Sequence, residues 1–423
     1  MKHIVLHIAL LLLPVPTYCA PYAQTTEQEL FTHFGITHMI DSSWIDYLNA
    51  KLATYAYPSA YQSSATNYLF EAYPTLCDTI PYISLAALPT PVQRLNNLSA
   101  VYGTELYIKR DDLTGGHDEL GNIIYGGNKV RKLEFLLAQA QALGASHVMT
   151  FGAAGSNHAV ATAVHAHRLG MQPICMLKHQ EPSLVVQQNL KMHLLCNSEL
   201  HYNASVGNRN LEALIAWLAH LKKDGKAPYI IPTGGSNAHG ALGFVNAAYE
   251  LKEQINQGFI PQPTHVYLPV GSCGTAAGLL LGCKAAGLNV HIVAVSVEPD
   301  TDFETGVKKL FNKTNALLCS IDQSFPEYTY SADDITIITN FAGPNYGVCT
   351  AEGNDATRIM RELEGIQLEG TYTAKACAAM LDDAQQHHDR VILFWNTYCG
   401  ADFSKQLEAH DYHELPACLH EYW

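Results

Sequence analysis

Three apolar runs in this chain end in a glycine-bearing turn that opens directly into a helix-like stretch, and no other feature restricts the fold as strongly. His147-Val148-Met149-Thr150-Phe151 runs into Gly152-Ala153-Ala154-Gly155, then into an Ala/Val-rich stretch opened by Ser156-Asn157-His158 and reaching Leu169-Gly170. Tyr229 to Pro232 leads into Gly234-Gly235-Ser236-Asn237 and a helix over 241–254. Thr264 to Val270 leads into Gly271-Ser272-Cys273-Gly274-Thr275 and an apolar helix over 276–287. Further strands read at 105–110, 172–178, 290–297 and 390–395. A strand, a helix and a second strand in succession require a crossover, and crossovers join parallel strands. The alternation predicts an α/β architecture, with open, twisted, mostly parallel sheets flanked by helices.

A strand, a Gly/Ser/Thr loop and a helix N-terminus also make an anion cradle, because backbone N–H groups and the helix dipole hold a phosphate there. The 271–275 loop has this form. It lacks the Gly-Lys-Ser/Thr ending of a nucleotide P-loop, and no GxGxxG accompanies it, so a single phosphate on a small cofactor fits better than a nucleotide. Ser156 stands where a helix cap would, its hydroxyl and the following amides available to a carboxylate, although a plain N-cap serine reads the same way. Two tyrosines sit beside small residues in Gly343-Pro344-Asn345-Tyr346-Gly347 and Gly370-Thr371-Tyr372-Thr373, and the last strand runs into Asn396-Thr397-Tyr398-Cys399-Gly400. Loops at strand ends are where ligands lie in open α/β sheets, with a buried packing tyrosine as the competing reading.

One lysine stands out. Gly126-Gly127-Asn128-Lys129-Val130-Arg131-Lys132-Leu133-Glu134 places two glycines and an asparagine before a helix whose apolar positions, Leu133, Leu136, Leu137 and Ala140, recur at helical spacing. Taken alone, a lysine in the first turn of a helix is most often a solvated charge. At a helix N-terminus, however, the dipole and nearby cations oppose protonation and favour the neutral amine that a Schiff base needs. Lys132, one turn on, is placed to hold a phosphate.

Composition narrows the partners. Lys plus Arg number 25 against 39 Asp plus Glu, a net charge of -14, which argues against nucleic acid and anionic membranes, since both require a basic face. A small molecule is the expected ligand. Residues 1–20 join a charged start to an apolar run over Ile4–Leu13 and a Pro/Ala-containing end, the form of a secretory signal peptide too short to span a bilayer, so export, in the periplasmic sense, is expected. Residues 21–80 read as an N-terminal extension with helical patches such as Ser43–Leu48. The cysteines beyond the leader show no CxxC or zinc-like spacing and read mostly as buried thiols, with one or two disulfides compatible with an oxidising compartment. His165-x-His167 and His387-His388 lack a partner at metal-ligand spacing, so no metal site is expected.

Together, Gly126-Gly127-Asn128-Lys129 with Arg131-Lys132-Leu133-Glu134, Ser156-Asn157-His158, Gly234-Gly235-Ser236, the 271–275 loop, Tyr346 and Tyr372 resemble the D-cysteine desulfhydrase and 1-aminocyclopropane-1-carboxylate (ACC) deaminase family. The match runs in order over about residues 85–410. These are fold-type II enzymes that use pyridoxal 5'-phosphate (PLP). The resemblance implies a large domain over 81–138 and 235–423, a small domain over 139–234, PLP in the cleft between them, and a homodimer. It implies Lys129 as the Schiff-base lysine and Gly271, Ser272, Cys273, Gly274 and Thr275 around the phosphate, with Lys132 assisting. Asn157 would lie near the cofactor's 3′-oxygen, Ser156, Asn157 and His158 near the substrate carboxylate, and Tyr346 and Tyr372 would be the nearby phenols that steer or donate protons.

Two positions separate the branches of that family. Tyr372-Thr373 resembles the Tyr-Thr of desulfhydrases rather than the Tyr-Glu of deaminases, and Thr397 matches their threonine where deaminases carry leucine. Both imply β-elimination from a small D-amino acid, most of all D-cysteine, with a hydroxyl rather than a carboxylate near the ring nitrogen. ACC-type ring opening or racemisation on the same scaffold is the alternative, and an exported amino-acid-binding protein without catalysis a further one. Gly155, where the family has glutamine, and 396–400, where it has a His-Thr-Gly-Gly-like turn, depart from the pattern.

Overall fold

The computed structural model describes residues 67–423, so the leader and the helical patch at 43–48 lie outside the described residues. Among the described residues, ten strands form two sheets. Strands β1 (Val92–Arg94), β2 (Glu105–Arg110), β7 (His265–Val270), β8 (His291–Ser296), β9 (Ile335–Ile338) and β10 (Val391–Asn396) make a six-stranded sheet in the order β1-β2-β10-β7-β8-β9. Strands β3 (His147–Ala153), β4 (Gln172–Lys178), β5 (Glu199–Tyr202) and β6 (Tyr229–Ile231) make a four-stranded sheet in the order β5-β4-β3-β6. All pairings are parallel except that of the short edge strand β1 with β2.

The helices are α1 (Tyr68–Ala72), α2 (Asn96–Tyr102), α3 (Lys129–Ala142), α4 (Asn157–Arg168), α5 (Leu184–Leu195), α6 (Val206–Asp224), α7 (Ala238–Asn256), α8 (Gly274–Ala285), α9 (Phe303–Ile321), α10 (Ala351–Glu364), α11 (Thr373–Gln386) and α12 (Ser404–Leu407). Both faces of each sheet are covered, as near-continuous apolar strands require. On the larger sheet, Val266, Leu268, Ile292 and Ala294 pack under α7, α8 and α9, while Tyr267, Val293, Val295 and Phe394 pack under α2, α10 and α11. On the smaller sheet, Val148, Cys175 and Ile231 face α3, α4 and α5, and Met149, Phe151 and Ile174 face α6.

Helix α3 joins the two cores. Phe135 packs in the core of the larger sheet, while Leu133, Leu136, Leu137 and Ala140 pack in that of the smaller, so the N-terminus of α3 is held at their junction. A buried ion cluster fixes the helix further. The Arg131 guanidinium meets Asp111 at 2.7 Å and Glu250 at 2.9 Å, Lys109 meets Glu250 at 2.5 Å, and all four side chains are excluded from solvent. Opposite charges repay their desolvation only with good geometry and further hydrogen bonds, here supplied by Thr90 and by the Trp395 indole on Asp111. Burial alone would push the Glu250 carboxyl up, but Arg131 and Lys109 outweigh it and hold it at about 2.

One feature differs from the expectations. The end of the chain, placed with the large domain by sequence, packs Phe403, Leu407, Leu415, Leu419 and Tyr422 into the core of the four-stranded sheet. No disulfide joins any two cysteines among the described residues, and Cys175, Cys196, Cys283, Cys377 and Cys399 are buried. The extension, as far as it is described, belongs to the body: Leu69, Phe70, Leu76 and Ile80 are core residues of the larger unit.

Candidate active site

The C-terminal ends of β3, β4 and β7 and the N-termini of α3, α4, α6 and α8 converge on a cavity of about 330 Å³ between the sheets. That size suits one small ligand, such sites running from roughly 300 to 1,000 Å³. Of the residues singled out from the sequence, Lys129, Ser156, Asn157, His158, Gly271, Ser272, Cys273, Thr275, Tyr346, Tyr372 and Thr397 line it.

Lys129 is the first residue of α3. Gly127 has φ +88°, and a Cβ there would lie 2.9 Å from the Thr397 carbonyl oxygen, so both backbone conformation and space demand glycine. That closeness serves a purpose: Asn128 N–H donates to the Thr397 carbonyl at 3.0 Å, and its side-chain amide donates to Thr275 Oγ1 at 3.0 Å. The lysine turn is thereby fastened to the loop after β10 and to the 271–275 loop. The Lys129 amine has no hydrogen-bond or ion-pair partner among the described residues, and burial lowers its pKa to about 8. Burial, rather than the nearby cations expected from the sequence, is the cause.

Cys273 adopts a left-handed conformation, φ 65°, at the N-cap of α8 and supplies no side-chain cap; the Gly274 N–H is taken by Ser236, so the next amides of that helix, at Thr275 and Ala276, are the ones left at the cavity. Burial pushes its thiol up to about 11. Lys132 and Gly274 stand just behind the cavity lining rather than in it. The Lys132 amine donates to the Gly234 carbonyl at 3.0 Å and to Ser236 Oγ at 3.1 Å; Ser236 Oγ donates to Ser272 Oγ at 2.8 Å and accepts from Gly274 N–H at 3.2 Å. A Cβ on Gly274 would meet Ser236 Oγ at 2.5 Å and the Lys132 amine at 2.9 Å. Lys132 thus braces the cradle from behind.

On the other wall, Ser156 caps α4, its Oγ accepting from Ala159 N–H at 3.2 Å. Asn157 Oδ1 accepts from the Tyr125 hydroxyl at 3.0 Å and from the Asn189 amide at 2.9 Å, which orients the Asn157 NH2 as a donor. His158 Nε2 is engaged with Thr150 Oγ1 at 2.9 Å, and burial drives its pKa far down, so it sits in the wall as a neutral ring. The departure at Gly155 has a local cause. A Cβ there would lie 2.6 Å from Val186 Cγ2, and the Gln180 amide already occupies the adjoining space, accepting from Gly155 N–H at 3.1 Å.

Tyr346 and Tyr372 bring their hydroxyls to 2.8 Å, and burial raises both phenols above their ordinary pKa. Thr373 is fully buried but lies outside the cavity wall: its hydroxyl accepts from Glu369 N–H at 2.9 Å, inside the turn that starts α11. The hydroxyl expected beside the cofactor's ring nitrogen is thus held within that turn rather than at the cavity surface. Glu369 lines the cavity instead, its carboxylate accepting from Thr371, Tyr372 and Thr373 N–H groups at 2.6 to 3.1 Å. Burial, opposed by those bonds, raises its pKa. Sequence reading missed Glu369, Glu298, Lys178 and Arg209 in the wall. An acidic residue one turn before a helix start signals a cap and makes Glu369 findable; the other three depend on which strand ends meet.

A family model described as pyridoxal-phosphate dependent enzyme matches residues 83–397. The chain belongs to this family. A protein of Thermotoga maritima, provisionally named a 1-aminocyclopropane-1-carboxylate deaminase, is 33% identical over 318 residues, 74% of this chain and 95% of the relative. A D-cysteine desulfhydrase of Serratia proteamaculans is 33% identical over 324 residues, 75% of this chain and 93% of the relative. A crystal structure of an ACC deaminase homologue superposes with a TM-score of 0.66 at 28% identity, covering 82% of this chain and 99% of that one. The architecture is that of a fold-type II PLP enzyme.

The residues present fit the cofactor. An unpartnered lysine amine, the α8 amides at Thr275 and Ala276 and an asparagine NH2 set as a donor face one cavity, matching an aldehyde, a phosphate and a ring oxygen respectively. Lys129 would hold PLP covalently, the 271–275 loop its phosphate and Asn157 its ring oxygen.

Proposed function

We propose that the protein is a PLP-dependent lyase carrying out α,β-elimination on a small D-amino acid, with D-cysteine and one water giving pyruvate, hydrogen sulfide and ammonia. The observation that carries this reading is the convergence of the free Lys129 amine, the Ser156 and Asn157 turn and the hydrogen-bonded Tyr346–Tyr372 pair on one cavity. PLP, when bound, draws off the negative charge that develops at the substrate α-carbon. Lys129 Nζ, neutral in an appreciable fraction near pH 8, takes up the α-proton. Ser156 and the α4 amides bind the substrate carboxylate. The paired phenols stay protonated and hold a proton for the departing group.

Support for a thiol as that group comes from Thr397 in the cavity wall and from curated relatives in Serratia and Yersinia named D-cysteine desulfhydrase. Withdrawal of Thr373 from the wall and the presence of Glu369 there favour ACC ring opening as the second reading. Assays of the purified protein on D-cysteine, L-cysteine and ACC, scored for sulfide, pyruvate and 2-oxobutyrate, separate them. Sulfide with pyruvate from D-cysteine, faster than either alternative, is expected; preference for ACC or L-cysteine overturns the assignment. The leader-like residues 1–20 support export, tested by cell fractionation, and the resemblance supports a homodimer, tested by light scattering.

A further inference from the structure

Away from the cavity, His147, His220 and Asp224 come together at the opposite end of the four-stranded sheet. His147 is the first residue of β3, whose last residues, Gly152 and Ala153, line the cavity; at about 3.3 Å per residue the two ends are roughly 17–20 Å apart. His220 and Asp224 are four residues apart at the end of α6. One ligand atom from each of the three lies within 4.8 Å of the others. His220 Nδ1 is 3.3 Å and His147 Nε2 3.9 Å from Asp224 Oδ2. Two tetrahedral ligands at about 2.0–2.1 Å from zinc stand about 3.3–3.4 Å apart, so the pocket needs only small side-chain movements to close on an ion.

The outer ring nitrogens supply a second observation. His220 Nε2 lies 2.9 Å from Glu199 Oε2, so the neutral ring that donates to Glu199, the shorter of its two carboxylate contacts, presents its Nδ1 lone pair toward Asp224. His147 Nδ1 lies 3.0 Å from Ser146 Oγ, leaving Nε2 toward the cluster. Glu199 is itself steadied by His201 at 2.7 Å, and His201 by Glu212 at 3.0 Å. A carboxylate behind a metal-facing imidazole is the outer arrangement that fixes tautomer and ring orientation at metal centres. In the tautomers with both outer nitrogens protonated, two lone pairs and a carboxylate face one another, an arrangement that a cation between them would stabilise.

We propose that His147 Nε2, His220 Nδ1 and Asp224 bind a divalent cation of the zinc class, water completing the coordination. Two neutral imidazoles and one carboxylate suit zinc, copper or nickel better than magnesium or calcium. The three side chains are 18%, 11% and 27% exposed, so the ion reaches them from solvent. It ties the start of β3 to the end of α6. The other end of that helix contributes Val206 and Arg209 to the active-site wall, so the cation steadies an element that shapes the cavity without touching substrate. The competing state is an imidazolium at His220 between Glu199 and Asp224.

The test uses the PLP-loaded protein, with calorimetric titration by zinc or magnesium chloride and thermal unfolding with and without zinc. Expected are one zinc per chain, a raised Tm, no comparable magnesium binding, and at least tenfold weaker zinc binding in His220→Ala and Asp224→Asn with PLP absorbance unchanged. Glu199→Ala, which removes only the group behind His220, weakens binding by about 10–100-fold. If His220→Ala fails to fold, His147→Gln gives the same reading. Zinc uptake unaltered in these variants, or none in the wild type, which leaves the imidazolium ion pair alone, overturns the proposal.

Discussion

The hydroxyls of Tyr346 and Tyr372 are 2.8 Å apart in the cavity wall, although 26 residues and the whole of α10 separate them in the chain. Because burial keeps both protonated, each can carry a proton that the other positions. Tyr372→Phe and Tyr346→Phe should each lower kcat by about 10²–10⁴-fold, the usual worth of a positioned proton donor. Absorbance of lysine-bound PLP should be unchanged. Full activity in both variants would remove the pair from the mechanism.

Lys129 sets the pH dependence of cofactor capture. Its pKa is lowered to about 8, so the amine is protonated and unreactive below that value and neutral above it. The rate of PLP attachment to the cofactor-free protein should rise about tenfold per pH unit up to about 8 and then level off. Stopped-flow absorbance measures this. Lys129→Ala should leave no PLP fixable by borohydride; a fixed adduct in that variant would identify another lysine.

Gly274 is held against Ser236 and Lys132, with 2.5 Å to the nearer atom for any added Cβ. Gly274→Val should push the cradle out of shape and weaken PLP retention at least about tenfold, since backbone donors must approach a phosphate closely. Lys132→Ala, which only loosens the 234–236 turn, should act in the same direction but less. Equilibrium dialysis followed by absorbance reads both, and PLP retention equal to wild type in Gly274→Val would contradict the assignment.

Arg131→Met should cost about 3–5 kcal/mol, because it leaves the buried Asp111 and Glu250 carboxylates facing each other with only Lys109 to balance them. Denaturant unfolding measures the loss. A change below 1 kcal/mol, roughly the worth of an exposed pair, would show that the cluster is hydrated rather than sealed.

The parallel α/β layering, the glycine turn before Lys129, the 271–275 turn into a helix and the serine cap could all be read from the residues alone. Each is a local matter in which the period of apolar residues, a glycine at a required position or a side chain beside a helix start carries the information. Lys129 and the 271–275 loop were legible for that reason. Tertiary structure alone decided that Thr373 turns inward to Glu369 while Thr397 faces the cavity, that Lys132 braces the cradle from behind, and that the C-terminal segment packs on the smaller sheet. It also brought His147 to His220 and Asp224, 73 residues apart at the nearest, where sequence spacing gave no hint of a cluster. Which face a side chain meets depends on packing between elements distant in the chain, and burial, not neighbouring charge, then set the Lys129 pKa.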